Sequence, residues 1–179
     1  GGAPDAALVI VSSAAVYGDG HAGSIAENVT VAPTSPYGTH KAMAEVAANA
    51  YASQSRTKVC VVRPFSVYGP GLRKQLIWDL VTRLLAGDRE IILGGTGQEI
   101  RDFIHIEDAA MALLQAVDLA DPGAPVFNLC TGTGTTIADL ATLTAAEFEG
   151  RTILFSGELR PGDPHSLVAL PGFLKWLEK

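Results

Sequence analysis

The sequence predicts an α/β fold, a parallel sheet wound with helices and carrying a smaller C-terminal lobe, and three segments near its start make the case. Ala7-Leu8-Val9-Ile10-Val11 is a short apolar run ending in Ser12-Ser13, the pattern of a strand buried on both faces. From about Tyr37 to Gln54 the chain is rich in alanine, free of proline, and entered after Ser35-Pro36, which predicts a long helix. Lys58 to Arg63 is a second apolar run, stopped by Pro64. Strand, helix and strand in that order imply parallel pairing with a right-handed crossover.

The alternation continues. Ser66 to Gly71 reads as a loop, Gln75 to Leu85 as a helix from its spacing of Leu, Ile, Trp and Val, and Glu90 to Leu93 as a short strand before a Gly94-Gly95-Thr96-Gly97 turn. Glu107 to Val117 is predicted helical, Val126 to Leu129 a strand, and Ile137 to Phe148 a helix capped by Thr135 or Thr136. No internal repeat or low-complexity linker interrupts the pattern. Residues 1–71 are expected to form part of the main domain and 72–179 mainly the smaller lobe, with elements of about 98–135 returning to the first.

Composition narrows the function classes. With 179 residues, 47% hydrophobic and 18% charged, the chain can bury a substantial core. Its apolar runs fall far short of the roughly 20 residues of a membrane-spanning helix. The start has no basic flank followed by an apolar stretch, so a cytoplasmic location is expected. A net charge of −6 without a Lys/Arg block gives no footprint for nucleic acid. Cys60 and Cys130 lack metal-ligand spacing and are expected to be buried thiols.

Tyr37 and Lys41 stand four apart at the start of the first helix, on one face. Free tyrosine titrates near ~10, and a cation a few ångströms away stabilises the phenolate. Such a pair can take a proton from a sugar hydroxyl as hydride leaves the same carbon. The spacing alone is a weak signal, because helix surfaces carry many such pairs. Ser13 strengthens it: it ends the preceding strand, where ligands bind in open α/β sheets, and its hydroxyl can bond the reacting oxygen.

Ser12-Ser13-Ala14-Ala15-Val16-Tyr17-Gly18 followed by Ser35-Pro36-Tyr37-Gly38-Thr39-His40-Lys41 resembles the extended short-chain dehydrogenase/reductase family, in its sugar-nucleotide epimerase and dehydratase branch. The resemblance runs on through Arg63 to Pro70, Arg101 to Asp108, Asn128 to Gly132 and Arg160 to Asp163. It implies a Rossmann-like doubly wound sheet with a substrate-binding lobe, NAD or NADP as cofactor, and a nucleotide-diphosphate sugar, UDP-linked, as substrate; a homodimer is expected. It further implies that Tyr37 is the acid/base, that Lys41 binds the nicotinamide ribose and tunes Tyr37, and that Ser13 positions the hexose hydroxyl. Phe65 is expected near the nicotinamide. Arg101 and Arg160 match the arginines that grip the diphosphate, a task suited to a planar fork, with Asp163 orienting its loop and Arg160.

Departures from the family pattern matter as much. Ser66 stands where an asparagine commonly meets the substrate phosphate, Gln75 falls near a second amide position, and Leu167 lies where bulk limits room around the sugar's second carbon. Ala14-Ala15 occupy the place where 4,6-dehydratases carry acidic residues, since eliminating water needs a further acid and base. That disfavours a dehydratase and keeps epimerase and ketoreductase. The glycine-rich strand-turn-helix of a dinucleotide fold does not precede Ala7, and Gly94 to Gly97 opens no helix, so the sequence reads as part of a longer chain. A fragment that binds nucleotide sugars without catalysis, and a structural relic of the same fold, are the competing readings.

Overall fold

Two of the apolar runs lie side by side, but only the second, Lys58–Pro64, is buried along most of its length. The first was expected to be buried on both faces, yet it leaves Leu8 and Val11 40% and 44% exposed because it has a strand partner on one side only among the described residues. In the computed structural model, which describes residues 6–159 and 162–170, β1 (Ala7–Val11) pairs in parallel with β2 (Lys58–Pro64), with Val9 opposite Cys60. β6 (Val126–Leu129) pairs in parallel on the other side of β2, giving the order β1-β2-β6. Between β1 and β2 runs α1 (Pro36–Ser55). Its entry is built as the sequence suggests: the Ser35 hydroxyl accepts from the Gly38 amide at 3.1 Å and Pro36 takes the first helical position. It ends where Arg56 turns left-handed, at φ 57°.

α1 buries a narrow stripe of Gly38, Glu45, Ala48 and Ala52. The small residues let it lie close to its neighbours. A Cβ on Gly38 would sit 2.4 Å from the carbonyl oxygen of Ala15, so only glycine allows the first turn of α1 to rest on the single 3-10 turn Ala14–Val16 that follows Ser13. This contact brings Tyr37 to the end of β1.

The segment expected as a loop at Ser66 to Gly71 is in part a strand. β3 (Ser66–Tyr68) pairs in parallel with β5 (Ile100–His105), Ser66 opposite Phe103. Gly69-Pro70 gives the segment its turn-like look, whereas tertiary pairing decides its first three residues. β5 also pairs with β7 (Gly134–Thr136) and β9 (Ser166–Leu167), placing Leu167 opposite Arg101. α3 (Ile106–Gln115) follows β5, and its alanines pack with Cys60, Val62 and Leu129 in one core cluster.

The remaining elements make a second small layer. β4 (Glu90–Leu93) pairs in parallel with β8 (Thr152–Phe155), and α2 (Gln75–Ala86) and α4 (Ile137–Ala145) cover them, burying Leu80, Leu84, Ile91, Leu93 and Ala141. Thr136 rather than Thr135 caps α4, accepting from the Asp139 amide at 3.0 Å. That helix stops at Ala145, three residues short of the expected Phe148.

Candidate active site

A cleft of about 1040 Å³ opens between the ends of β1 and β2 and the layer of α2 and β4. Ser13, Phe65, Ser66, Gln75, Arg101, Asp163 and Leu167 all line it. Seven positions scattered over the sequence are thus brought to one wall. Arg160 lies outside the described residues. Tyr37 and Lys41 stand on α1 beyond the lining of the cleft, and Gly38 between them packs on the carbonyl of Ala15, two residues after Ser13.

Ser13 is extended, at φ −165° and ψ 152°, and caps the turn after β1, its hydroxyl oxygen accepting from the Ala15 amide at 3.2 Å. Its O–H remains available for a ligand. Tyr37, in the first turn of α1, is 56% exposed. The Lys41 ammonium donates to the Val11 carbonyl at 2.8 Å and lies 5.8 Å from the centroid of the Tyr37 ring. The cation is thereby pinned beside the phenol by the last residue of β1.

Farther along the cleft, Arg101 donates to the Ile100 carbonyl at 2.8 Å and forms an ion pair with Asp163. Asp163 therefore orients Arg101, a partner the sequence reading did not foresee. Gln75 opens α2 with φ 68°, the left-handed region uncommon for a residue other than glycine. Such strain at a cleft wall fits a side chain held for a ligand. The Gly94 to Gly97 turn is closed to phosphate in another way: the buried Glu99 carboxylate accepts from the Thr96 and Gly97 amides at 2.8 and 2.9 Å. Burial pushes the Glu99 carboxyl up, but these amides and the Thr96 hydroxyl outweigh it and hold the group below its usual range.

Beneath Ser13 lies a polar network to which the sequence reading assigned no role. Arg63 donates to both carboxylate oxygens of Glu45, at 2.9 and 2.6 Å, to the Tyr17 hydroxyl at 2.8 Å and to the Glu27 carbonyl at 3.1 Å. Ser12 donates to Glu45 as well, and Tyr17 donates to the Asn128 side chain at 2.6 Å. Burial raises the Tyr17 phenol, with the Arg63 hydrogen bond opposing, and both its valences are used; it is no rival to Tyr37 as a base. A lone arginine inside the apolar strand Lys58–Pro64 was the available signal, because a buried charge needs a partner.

Asp102 was also missed. It is fully buried and accepts from the Thr131 amide at 2.7 Å and the Gly132 amide at 2.8 Å, tying β5 to the loop after β6. Cys60 and Cys130 are buried, as expected, and burial pushes their thiols up to about 11 and about 12, so neither offers a thiolate nucleophile. Among the described residues no group of His, Cys, Asp and Glu could hold a metal ion, and no helix is long and apolar enough to cross a membrane.

Known proteins resemble this chain in sequence and fold. A UDP-glucose 4-epimerase of Oryza sativa subsp. japonica is 30% identical over 92% of this chain and 46% of its own length. A dTDP-glucose 4,6-dehydratase of Actinoplanes sp. is 34% identical over 74% of this chain and 41% of its own. A solved structure of MoeE5 with UDP-glucose and NAD superposes with a TM-score of 0.85 at 32% identity, over 96% of this chain and 58% of that one. The chain thus spans about half the length of these relatives. The family model that matches residues 3–130 is that of the NAD dependent epimerase/dehydratase family, and on that match the chain belongs to the NAD dependent epimerase/dehydratase family.

Proposed function

We propose that this chain supplies the catalytic and sugar-binding part of an NAD-dependent enzyme that inverts carbon 4 of a UDP-linked sugar through a 4-keto intermediate. The observation that carries the reading is the wall of the cleft at Ser13: Ala14 and Ala15 follow it there, beside the Tyr37–Lys41 pair. Methyl groups cannot relay the extra proton that dehydration needs, whereas epimerisation needs one acid/base at the oxygen. The rice relative, a UDP-glucose 4-epimerase, and the likeness to MoeE5 with UDP-glucose and NAD support the choice.

The residues present suit the nicotinamide end of NAD or NADP. Lys41 offers an ammonium to ribose hydroxyls beside the exposed Tyr37 phenol, and Phe65 lends the cleft an apolar wall. When bound, the dinucleotide supplies the hydride acceptor and donor for carbon 4. Tyr37 takes the proton of the 4-hydroxyl as the carbon is oxidised and returns it when the carbon is reduced on its other face. Lys41 favours the phenolate, Ser13 bonds the reacting oxygen, and Arg101, with Arg160, holds the diphosphate. Ser66, Gln75 and Asp163 line the path between these ends. Met43, Val46 and Tyr51, each more than half exposed on α1, fit the expected homodimer.

The test is incubation of the complete protein with catalytic NAD and UDP-glucose or UDP-N-acetylglucosamine, with the epimers resolved chromatographically. Epimer formation without net cofactor consumption is the expected result. Stoichiometric NAD(P)H oxidation by a 4-keto sugar, with no epimer, selects a ketoreductase; binding without turnover selects a non-catalytic fragment.

A further inference from the structure

Glu45 lies one helical turn beyond Lys41, the spacing at which a lysine and a glutamate on one helix ordinarily attract each other. No ion pair joins them among the described residues. Both oxygens of Glu45 are instead held from below, Oε1 by Arg63 Nε at 2.9 Å and by Ser12, and Oε2 by Arg63 Nη2 at 2.6 Å. The pair is almost fully enclosed, with side chains 5% and 8% exposed. Lys41 turns the other way, to Val11 and the face of Tyr37.

We propose that Arg63 is a positioning residue for proton transfer: by holding the Glu45 carboxylate it keeps that anion from capturing Lys41, so the ammonium stays beside Tyr37. The inference rests on the reading that Tyr37 and Lys41 serve the reaction. The geometry gives Arg63 a second grip on the same region. Its Nη1 meets the Tyr17 hydroxyl and the Glu27 carbonyl, so one guanidinium ties the segment after Ser13 to both α1 and β2. On α1 the titratable and charged groups within one turn of Lys41 are Tyr37, His40 and Glu45; Arg63 from β2 holds Glu45, and Arg63 in turn meets Tyr17 and Glu27. With Arg63 removed, Glu45 is an unbalanced anion one turn from Lys41. It then draws the ammonium from Tyr37 and disfavours the phenolate.

The experiment compares wild type, R63M, R63Q and the double variant E45Q/R63M in the complete protein. Two readouts are taken: the pH dependence of turnover, and the titration of the Lys41 signal by NMR after reductive 13C-methylation, which keeps the charge. For R63M the expected result is a rate profile and a Lys41 midpoint both moved to higher pH, with kcat near neutrality down about tenfold and KM within about threefold. E45Q/R63M, with no carboxylate left unpaired, is expected to restore both positions. A simple loss of packing would not move a pH profile and be reversed by removing the anion. If R63M does not fold, R63Q is read in the same way, since its amide can hydrogen-bond Glu45 but carries no charge to balance it. Wild-type positions in the arginine variants, or no restoration in the double variant, overturn the inference. A wild type without turnover on any nucleotide sugar defeats the functional reading alone, because the Lys41 titration still decides this one.

Discussion

One arginine–carboxylate pair lies beneath Ser13 and another on the cleft wall, and they differ in what surrounds them. Arg63–Glu45 is 5% and 8% exposed and fully hydrogen-bonded, whereas Arg101–Asp163 is 11% and 44% exposed, with the carboxylate open to solvent. The first joins three elements under Ser13. The second joins β5 to the segment before β9, at the cleft wall. Burial makes an ion pair expensive to break, because either partner left alone is a charge in a poor solvent. Exposure makes one easy to exchange, since water or a ligand anion can replace the carboxylate. On the proposed function, the region assigned to position the chemistry is therefore locked, and the region assigned to the phosphate is left open to rearrangement.

The largest expected effect falls on the locked side. Tyr37→Phe in the complete protein is expected to lower hydride exchange by about 10²- to 10⁴-fold, the range for a general acid/base, while nucleotide-sugar affinity stays within a few-fold. Comparable turnover in variant and wild type removes Tyr37 from the mechanism. Next comes Glu45→Ala, expected to lower folding stability by about 3–5 kcal/mol because it strands Arg63. Asp163→Ala, the matching cut in the open pair, should change stability by no more than about 1 kcal/mol. Urea unfolding of both variants checks the contrast; equal losses would erase it.

On the open side, Arg101→Ala is expected to weaken binding of UDP by about 1.5–3 kcal/mol, the range for charge-assisted hydrogen bonds. Calorimetry with the nucleotide alone measures it. An unchanged dissociation constant places the diphosphate elsewhere and leaves Arg101–Asp163 a purely structural clasp.

What the sequence made legible follows the same division. β1, α1, β2 and β4 are local: apolar runs and an alanine-rich stretch with a serine-proline entry define them before any contact is made. β3 and β9 are three and two residues long and exist through pairing with β5, so no local pattern announces them. Ser13, Tyr37 and Lys41 stood out through motif spacing. Arg63 and Glu45 lay inside or beside those motifs without a role, because their partnership spans 18 residues and becomes visible only when α1 is laid on β2. Asp163 was expected to serve Arg160, which lies outside the described residues; the structure also pairs it with Arg101, brought near by the pairing of β5 with β9.

A third carboxylate sharpens the comparison, with the smallest expected effect. Glu99 is buried like Glu45, but among the described residues it has no ion pair; amides of Thr96 and Gly97 and the Thr96 hydroxyl hold it. Its folded-state titration lies below the unfolded one, so the unfolded chain binds the proton more readily. The stabilisation from this group is thus fully present above the unfolded carboxyl value of about 4.3 and is lost as pH falls through the lower folded value. Glu99→Gln removes the charge and one acceptor oxygen from the turn. The variant is expected to be less stable than wild type at pH ~7 and to converge on it as the medium is acidified below ~4. Urea midpoints for both proteins across that range measure the gap. A gap that stays constant with pH would mean that the turn needs the shape of the side chain and not its charge.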